Sequence, residues 1–167
     1  VVMATKDNLQ EAFAGESQAN RKYLAFAKKA EADGLPQVAK LFRAAADAET
    51  VHAHAHLRVL NGVGSTAENV AAAIEGEGFE FQQMYPKMLE EAKNESDAAA
   101  ITSFTNALAV EEVHHTLYSE ALAAVEAGSD LPTRSVHVCQ ICGNTVHEVP
   151  GSCPVCGAAA SSFNEIC

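Results

Sequence analysis

Two stretches, Ala48-Glu49-Thr50-Val51-His52 and Ala109-Val110-Glu111-Glu112-Val113-His114, carry one pattern, Glu-x-x-His, at an offset of 62 residues. Their surroundings repeat with them: Phe42 aligns with Phe104, Ala45 with Ala107, Val51 with Val113 and Leu60 with Leu122. Residues three apart share one face of an α-helix, so each copy can present a carboxylate and an imidazole to one cation. The rest of the chain then has to be read for further carboxylates that would complete such a site.

Upstream, residues 8–32 run without proline. Leu9, Ala12, Phe13, Glu16, Ala19, Tyr23, Phe26, Ala27 and Ala30 form one stripe at spacings of three and four. Thr5 and Asp7 are candidate caps for a helix beginning near Asn8. Glu16 has two readings, an edge residue reaching solvent or a carboxylate whose burial requires a partner. Asp33-Gly34-Leu35-Pro36 breaks the helix. A second helix is predicted over 37–60, with Val38, Leu41, Phe42, Ala45, Glu49, His52 and His56 on one side. In an antiparallel hairpin Glu16 and Glu49 reach similar heights, at about 1.5 Å per residue. His54 points away from that side, and His56 reads as an exposed or hydrogen-bonded imidazole.

Residues 61–69 are Gly-rich and polar. Extended, they span about 30 Å, enough to cross a helical bundle end to end and leave the second and third helices parallel. The third helix is predicted over about 70–92, with Ala73, Glu77, Glu80, Met84, Met88 and Glu91 on related positions. Pro86 should kink it or break one hydrogen bond. Gly76-Glu77 repeats Gly15-Glu16 at an offset of 61, close to that of the Glu-x-x-His copies. The chain therefore opens with a degenerate repeat of two helical hairpins, each giving one Glu and one Glu-x-x-His. Glu80 breaks the symmetry, since its counterpart is Ala19, and it can add a fifth carboxylate. Glu75 is rotated off that face. A turn at 94–98 leads to a fourth helix ending near residue 127. There Glu112 with His115 has the same spacing, but the repeat favours Glu111 with His114.

Gly128-Ser129-Asp130-Leu131-Pro132-Thr133 reads as a linker. It precedes Cys139-Gln140-Ile141-Cys142-Gly143 and Cys153-Pro154-Val155-Cys156-Gly157. Paired C-x-x-C-Gly knuckles form a tetrathiolate metal signature for iron or zinc. The last segment is too short to hold a core without a metal. Val138, Ile141, Val146, Val149 and Phe163 are most of its apolar filling. Cys167 is left over as a free thiol. All five cysteines lie within residues 139–167, which does not fit a disulfide framework. The 167 residues carry a formal charge of −11, which argues against nucleic-acid and anionic-membrane partners. No apolar run approaches the roughly 18–20 residues that span a bilayer, and residues 1–8 lack a signal pattern. A cytoplasmic location is expected.

This arrangement resembles the rubrerythrin family over nearly the whole chain. The motifs that carry the resemblance are Gly76-Glu77-Gly78-Phe79-Glu80, Met84-Tyr85-Pro86, the two Glu-x-x-His copies, the paired knuckles, and Tyr23 seven residues after Glu16. The resemblance implies an all-α four-helix ferritin-like bundle over 1–128, with a long crossover between helices two and three. A linker over 129–135 and a rubredoxin-like domain over 136–167 follow. It implies a di-iron site of Glu16, Glu49, His52, Glu77, Glu80, Glu111 and His114, with Tyr23 and Tyr85 as hydrogen-bond donors to ligand carboxylates. It implies that one iron exchanges His52 for Glu80 on oxidation. It also implies one iron held by Cys139, Cys142, Cys153 and Cys156, a position zinc can take in recombinant material. The implied activity is a peroxidase of oxidative-stress defence that reduces hydrogen peroxide to water, with electrons relayed from an external reductase through the tetrathiolate iron. A homodimer is expected, because a linker of about ten residues would hold each tail away from its own bundle. Two rivals remain: a ferroxidase, and a bundle with a structural zinc ribbon. One position departs from the family, Asn144, where an aromatic residue is usual.

Overall fold

The computed structural model describes residues 2–167, with side chains from Ala4 onward. Five helices come first: α1 (Val2–Ala32), α2 (Pro36–Val59), α3 (Thr66–Phe79), α4 (Tyr85–Glu95) and α5 (Ala98–Glu126). A five-residue π-helical turn, Glu80–Met84, joins α3 to α4. Three short strands follow, β1 (Val136–Cys139), β2 (Thr145–Val146) and β3 (Phe163–Ile166). The chain divides into two compact units, one up to Gly64 and one from Ser65 to Cys167. No helix among the described residues is long and apolar enough to cross a membrane.

The first unit is the α1–α2 hairpin. Gly34, at φ +75°, takes the left-handed conformation that ends α1. It lets Leu35 N–H bond Ala30 O at 2.9 Å and Gly34 N–H bond Glu31 O at 2.9 Å. Pro36 then opens α2, where its missing N–H costs nothing. Ala39, Ala46 and Ala53 recur every seventh residue on α2 and are buried, as are Ala27 and Ala30 on α1. The fully buried part of the seam is thus made of methyl groups, with Phe42 meeting Tyr23 and Phe26 beside it. Asn20 crosses it, donating to Ala46 O at 2.7 Å and Thr50 Oγ1 at 2.9 Å. Helix α1 begins earlier than the sequence suggests, so Thr5 and Asp7 lie inside it rather than capping it.

The second unit packs α3, the π turn and α4 against α5, with Ala92 and Val110 buried. Helix α3 starts at Thr66 rather than near residue 70, because Ser65 and Glu68 form a capping box. Ser65 Oγ accepts from Glu68 N–H at 3.3 Å, and Ser65 N–H donates to Glu68 Oε2 at 2.7 Å. The connection after α2 is therefore residues 60–65, shorter than the 61–69 expected. Pro86 does not break the third helical run sharply. The wider π turn just before it absorbs the missing donor, with Tyr85 N–H bonding Glu80 O. Asp97 caps α5, accepting from Ala99 and Ala100 N–H at 3.0 Å each.

Residues 129–135 have no regular structure. The tail then forms a three-stranded antiparallel sheet in the order β2-β1-β3, with Val138 opposite Thr145 and Cys139 opposite Phe163. Each knuckle closes the same way. Gly143 N–H bonds Cys139 O at 2.8 Å, and Gly157 N–H bonds Cys153 O at 2.9 Å. Both glycines sit at positive φ, +88° and +76°, which explains a Gly after each C-x-x-C.

Candidate metal centres

Three clusters of metal-ligating side chains emerge among the described residues, and each lies within one unit. In the first unit the seam sets α1 against α2 so that Glu16, Glu49 and His52 offer donor atoms within 4.8 Å of one another. His52 Nδ1 lies 3.0 Å from Glu49 Oε2. The helical i, i+3 spacing produces that contact directly. The His52 side chain is 56% exposed, whereas Glu49 is largely covered.

The second unit repeats the arrangement. Glu77 from α3 joins Glu111 and His114 from α5 within 4.8 Å. His114 Nδ1 lies 2.9 Å from Glu111 Oε2 and 3.8 Å from Glu77 Oε1. Glu112 is exposed, and the His115 ring meets Phe81 edge-on at 5.3 Å. The structure thus gathers Glu111 and His114 rather than the alternative pair. Gly78 allows His115 to come close: a Cβ there would lie 3.3 Å from His115 Cδ2.

Glu80 stands at the start of the π turn, outside the tight cluster but within its field. Burial and then the charge of Glu77 push its carboxyl above the ordinary carboxylate range, against the opposing pull of His114. Burial likewise raises Glu77, and a hydrogen bond shared with Glu111 and that residue's charge add to it. The Tyr85 phenol is raised by burial and then by Glu111, Glu80 and Glu77. Tyr85 therefore lies in the field of three carboxylates. Tyr23 packs its ring near Phe26 and Phe42, with centroids at 6.4 and 6.1 Å.

The third cluster joins Cys139, Cys142, Cys153 and Cys156. Sγ–Sγ separations are 3.8 Å for Cys139–Cys156 and 3.6 Å for Cys142–Cys153. All five cysteines are free thiols, Cys167 among them and exposed. Four thiolates about 2.3 Å from a tetrahedral cation stand about 3.8 Å apart, so the spacing suits a metal. Burial tends to raise the Cys153 thiol, but N–H groups of Cys156 and Val155 directed at the sulfur outweigh it and bring the value to about 7. Burial pushes Cys142 up to about 12, although Asn144 N–H opposes it. A cation would displace the thiol protons from these crowded sulfurs.

One contact has no forerunner in the sequence. Thr145 Oγ1, on β2, lies 3.0 Å from His114 Nε2, and it donates to Gly143 O at 3.2 Å. A cation on His114 Nδ1 requires the proton on Nε2, which then donates to Thr145. The linker therefore does not hold the tail away from its own Glu-x-x-His helix. The tail sits on α5, with Gly143 about one methyl contact from Val110: a Cβ at Gly143 would lie 3.6 Å from Val110 Cγ1. Asn144, the departure from the family pattern, is 2% exposed, and its Nδ2 has no partner.

A rubrerythrin family model matches residues 7–122. The chain belongs to the rubrerythrin family. Rubrerythrin-2 of Clostridium acetobutylicum is 33% identical, covering 95% of each chain. Rubrerythrin of Porphyromonas gingivalis is 34% identical, over 95% of this chain and 88% of its own length. Nigerythrin of Nitratidesulfovibrio vulgaris is 32% identical, over 97% and 86%. The solved structure of partially reduced nigerythrin superposes with a TM-score of 0.58 at 31% identity, again over 97% and 86%. Nigerythrin has also been solved in a fully reduced, all-ferrous state, with a TM-score of 0.58. Rubrerythrins are oxidoreductases with a ferritin-like bundle and a rubredoxin-like site, and this chain has the parts of both. Its donors fit the irons: carboxylates and imidazoles suit the pair, and four thiolates suit the single iron.

Proposed function

We propose that this rubrerythrin is a non-haem di-iron peroxidase that reduces hydrogen peroxide to water and draws electrons from an external reductase through its tetrathiolate iron. The observation that carries the reading is the Thr145–His114 contact, which joins the knuckle backbone to a candidate di-iron ligand by one side chain. Such a link serves a protein that imports electrons. A ferroxidase takes electrons from its own substrate and has no use for it.

Glu16, Glu49 and His52 would hold the pair from one hairpin, and Glu77, Glu111 and His114 from the other. When bound, the iron pair supplies the two electrons that cleave the O–O bond, and two protons complete two waters. The chain's own part is to place charge and protons. Glu80 carries a carboxyl whose burial favours the protonated form, so it can hold a proton beside the reacting oxygens or turn to an oxidised metal as an extra ligand. The Tyr85 phenol, raised by burial and by the charges of Glu111, Glu80 and Glu77, stays protonated and would serve as a donor to those carboxylates. With a cation on His114 Nδ1, the Nε2 proton would donate to Thr145 Oγ1 and so hold the ring in place. Oxidative-stress defence in the cytoplasm is the setting this chemistry suits.

The test is a stopped-flow experiment on iron-loaded, anaerobically reduced protein. It is mixed with one equivalent of hydrogen peroxide, or separately with oxygen, while the visible absorption of the tetrathiolate iron is followed. Rapid return of colour with peroxide and slow return with oxygen is expected. Absence of colour would overturn the relay and leave a zinc ribbon. Faster return with oxygen would favour the ferroxidase.

A further inference from the structure

We propose that the side-chain amide of Asn144 tunes the tetrathiolate centre, donating an N–H to a cysteine sulfur and so raising the reduction potential of the iron held there. The reading rests on the four cysteines holding iron and is independent of peroxidase activity.

The first argument is burial. Asn144, Cys139 and Cys153 are the largest fully buried side chains among the described residues. The tail thus closes one amide off from water along with two of its four ligating sulfurs. Asn144 Nδ2 has no partner. A buried amide without a partner is rare, and it calls for an explanation. A leucine or an aromatic ring would fill the place with no polar group to satisfy. Packing alone therefore does not account for an amide here.

The second argument is register. Val138 stands opposite Thr145, and Cys139 N–H bonds Asn144 O at 2.9 Å, so Asn144 is next in line, opposite Cys139. Residues directly opposite on antiparallel strands share a face, with Cβ atoms about 4.5–5.5 Å apart. From there the amide reaches a cysteine sulfur by rotation about its own side-chain bonds. Backbone N–H groups already serve the other sulfurs: Asn144 N–H is directed at Cys142, those of Val155 and Cys156 at Cys153, and that of Ala158 at Cys156. The orphaned amide is one more donor in the same shell.

Charge gives the direction of the effect. A free thiol is a weak acceptor, whereas a thiolate on iron accepts as a charged group. The four thiolates make the ferrous centre more negative than the ferric one by the electron it has gained. A donor beside the sulfurs stabilises the more negative state, and burial keeps water from screening the effect. Hydrogen bonds to the sulfurs are among the things that set such potentials. The rival account uses His137, whose buried Nδ1 also lacks a partner. His137 lies two residues before Cys139 on the same face of β1. A water held between His137 and Asn144 would satisfy the amide and leave the sulfurs alone.

The test is a potentiometric titration of full-length, iron-loaded protein, read by the visible absorption of the ferric tetrathiolate. Asn144→Leu should lower the midpoint. At the potential where the wild-type centre is half reduced, the ferric-to-ferrous ratio of the variant should be about tenfold higher, a shift of about 59 mV. An unchanged midpoint overturns the proposal in favour of the bridging water. A wild-type tail without the tetrathiolate colour strikes the iron assignment, and the proposal with it. Losing a polar group also lowers a potential by making the site less polar, so a second measurement identifies the bond itself. In wild-type protein loaded with a spin-active cadmium isotope, magnetic coupling between the metal and the Asn144 side-chain N–H is expected across the N–H···S bond. Its absence overturns the proposal even where the potential falls. Where Asn144→Leu fails to fold or to hold iron, the coupling alone supports or overturns it. An amide that only shaped the fold would shift the thermal midpoint, leave the potential in place and show no coupling.

Discussion

Replacing Thr145 by Val removes one oxygen and keeps the β-branched shape that suits its place opposite Val138 in the sheet. Two hydrogen bonds go with it: the 3.0 Å contact with His114 Nε2 and the 3.2 Å bond to Gly143 O. The His114 ring is 27% exposed, so water can only partly replace the lost acceptor. A net loss of about 1 kcal/mol follows for one such bond. Outer partners of metal-bound histidines typically change affinity or activity by about 10–100-fold. A fall of about tenfold in the peroxide-driven return of tetrathiolate colour is therefore expected, with iron content unchanged. Thr145→Ser restores the hydroxyl and should restore most of the rate. A role confined to tail stability would lower the thermal midpoint without separating Val from Ser in rate. A Val variant that recolours at the wild-type rate, fully loaded with iron, would refute the link as an electron route.

Three further outcomes are expected. Glu80→Ala should lower peroxide turnover by about 100-fold or more while leaving most iron bound, since a carboxylate beside the cluster is lost rather than a supporting partner; unchanged turnover in a steady-state peroxidase assay would remove Glu80 from the mechanism. Asn144→Leu should raise the tail's thermal midpoint by removing a buried amide without a partner, a group that costs about 1–3 kcal/mol; the backbone N–H and C=O of residue 144, which serve Cys142 and Cys139, stay in place, and a lower midpoint would contradict the reasoning. Metal-free protein should lose stability as pH climbs from 4.5 toward neutrality, because Glu77 and Glu80 are raised on folding and so stabilise only while they keep their protons. Melting curves across that range should fall less steeply for a Glu77→Gln, Glu80→Gln variant, and equal slopes would exclude these two groups as the cause.

The ligand clusters were legible because helical periodicity is local. Glu-x-x-His puts both donors on one face whatever surrounds it, and the 61-residue offset of Glu16 and Glu77, close to the 62 of the two copies, then points to those carboxylates. The knuckles were legible for the same reason, since Gly143 and Gly157 follow from the turn that C-x-x-C makes. The start of α3 was also written in the sequence, as Ser65-Thr66-Ala67-Glu68, but the glycines just before it read more strongly as a longer crossover. The π turn has no residue signature beyond Pro86, because it depends on how Glu80–Met84 pack against α5. Thr145 could not be found at all. Its partner lies 31 residues away, and only the docking of the tail brings them together.

The alanine seam of the first hairpin has a mechanical consequence. Where the helices touch through buried alanine methyl groups, those side chains have no rotamers to choose between. At Ala46 the distance between Glu16 and Glu49 is then set almost by backbone against backbone, as in the jaws of a caliper. Ala46 is fully buried three residues before Glu49. A Leu there would have to prise the jaws apart, and the opening would be felt first at the carboxylates they measure.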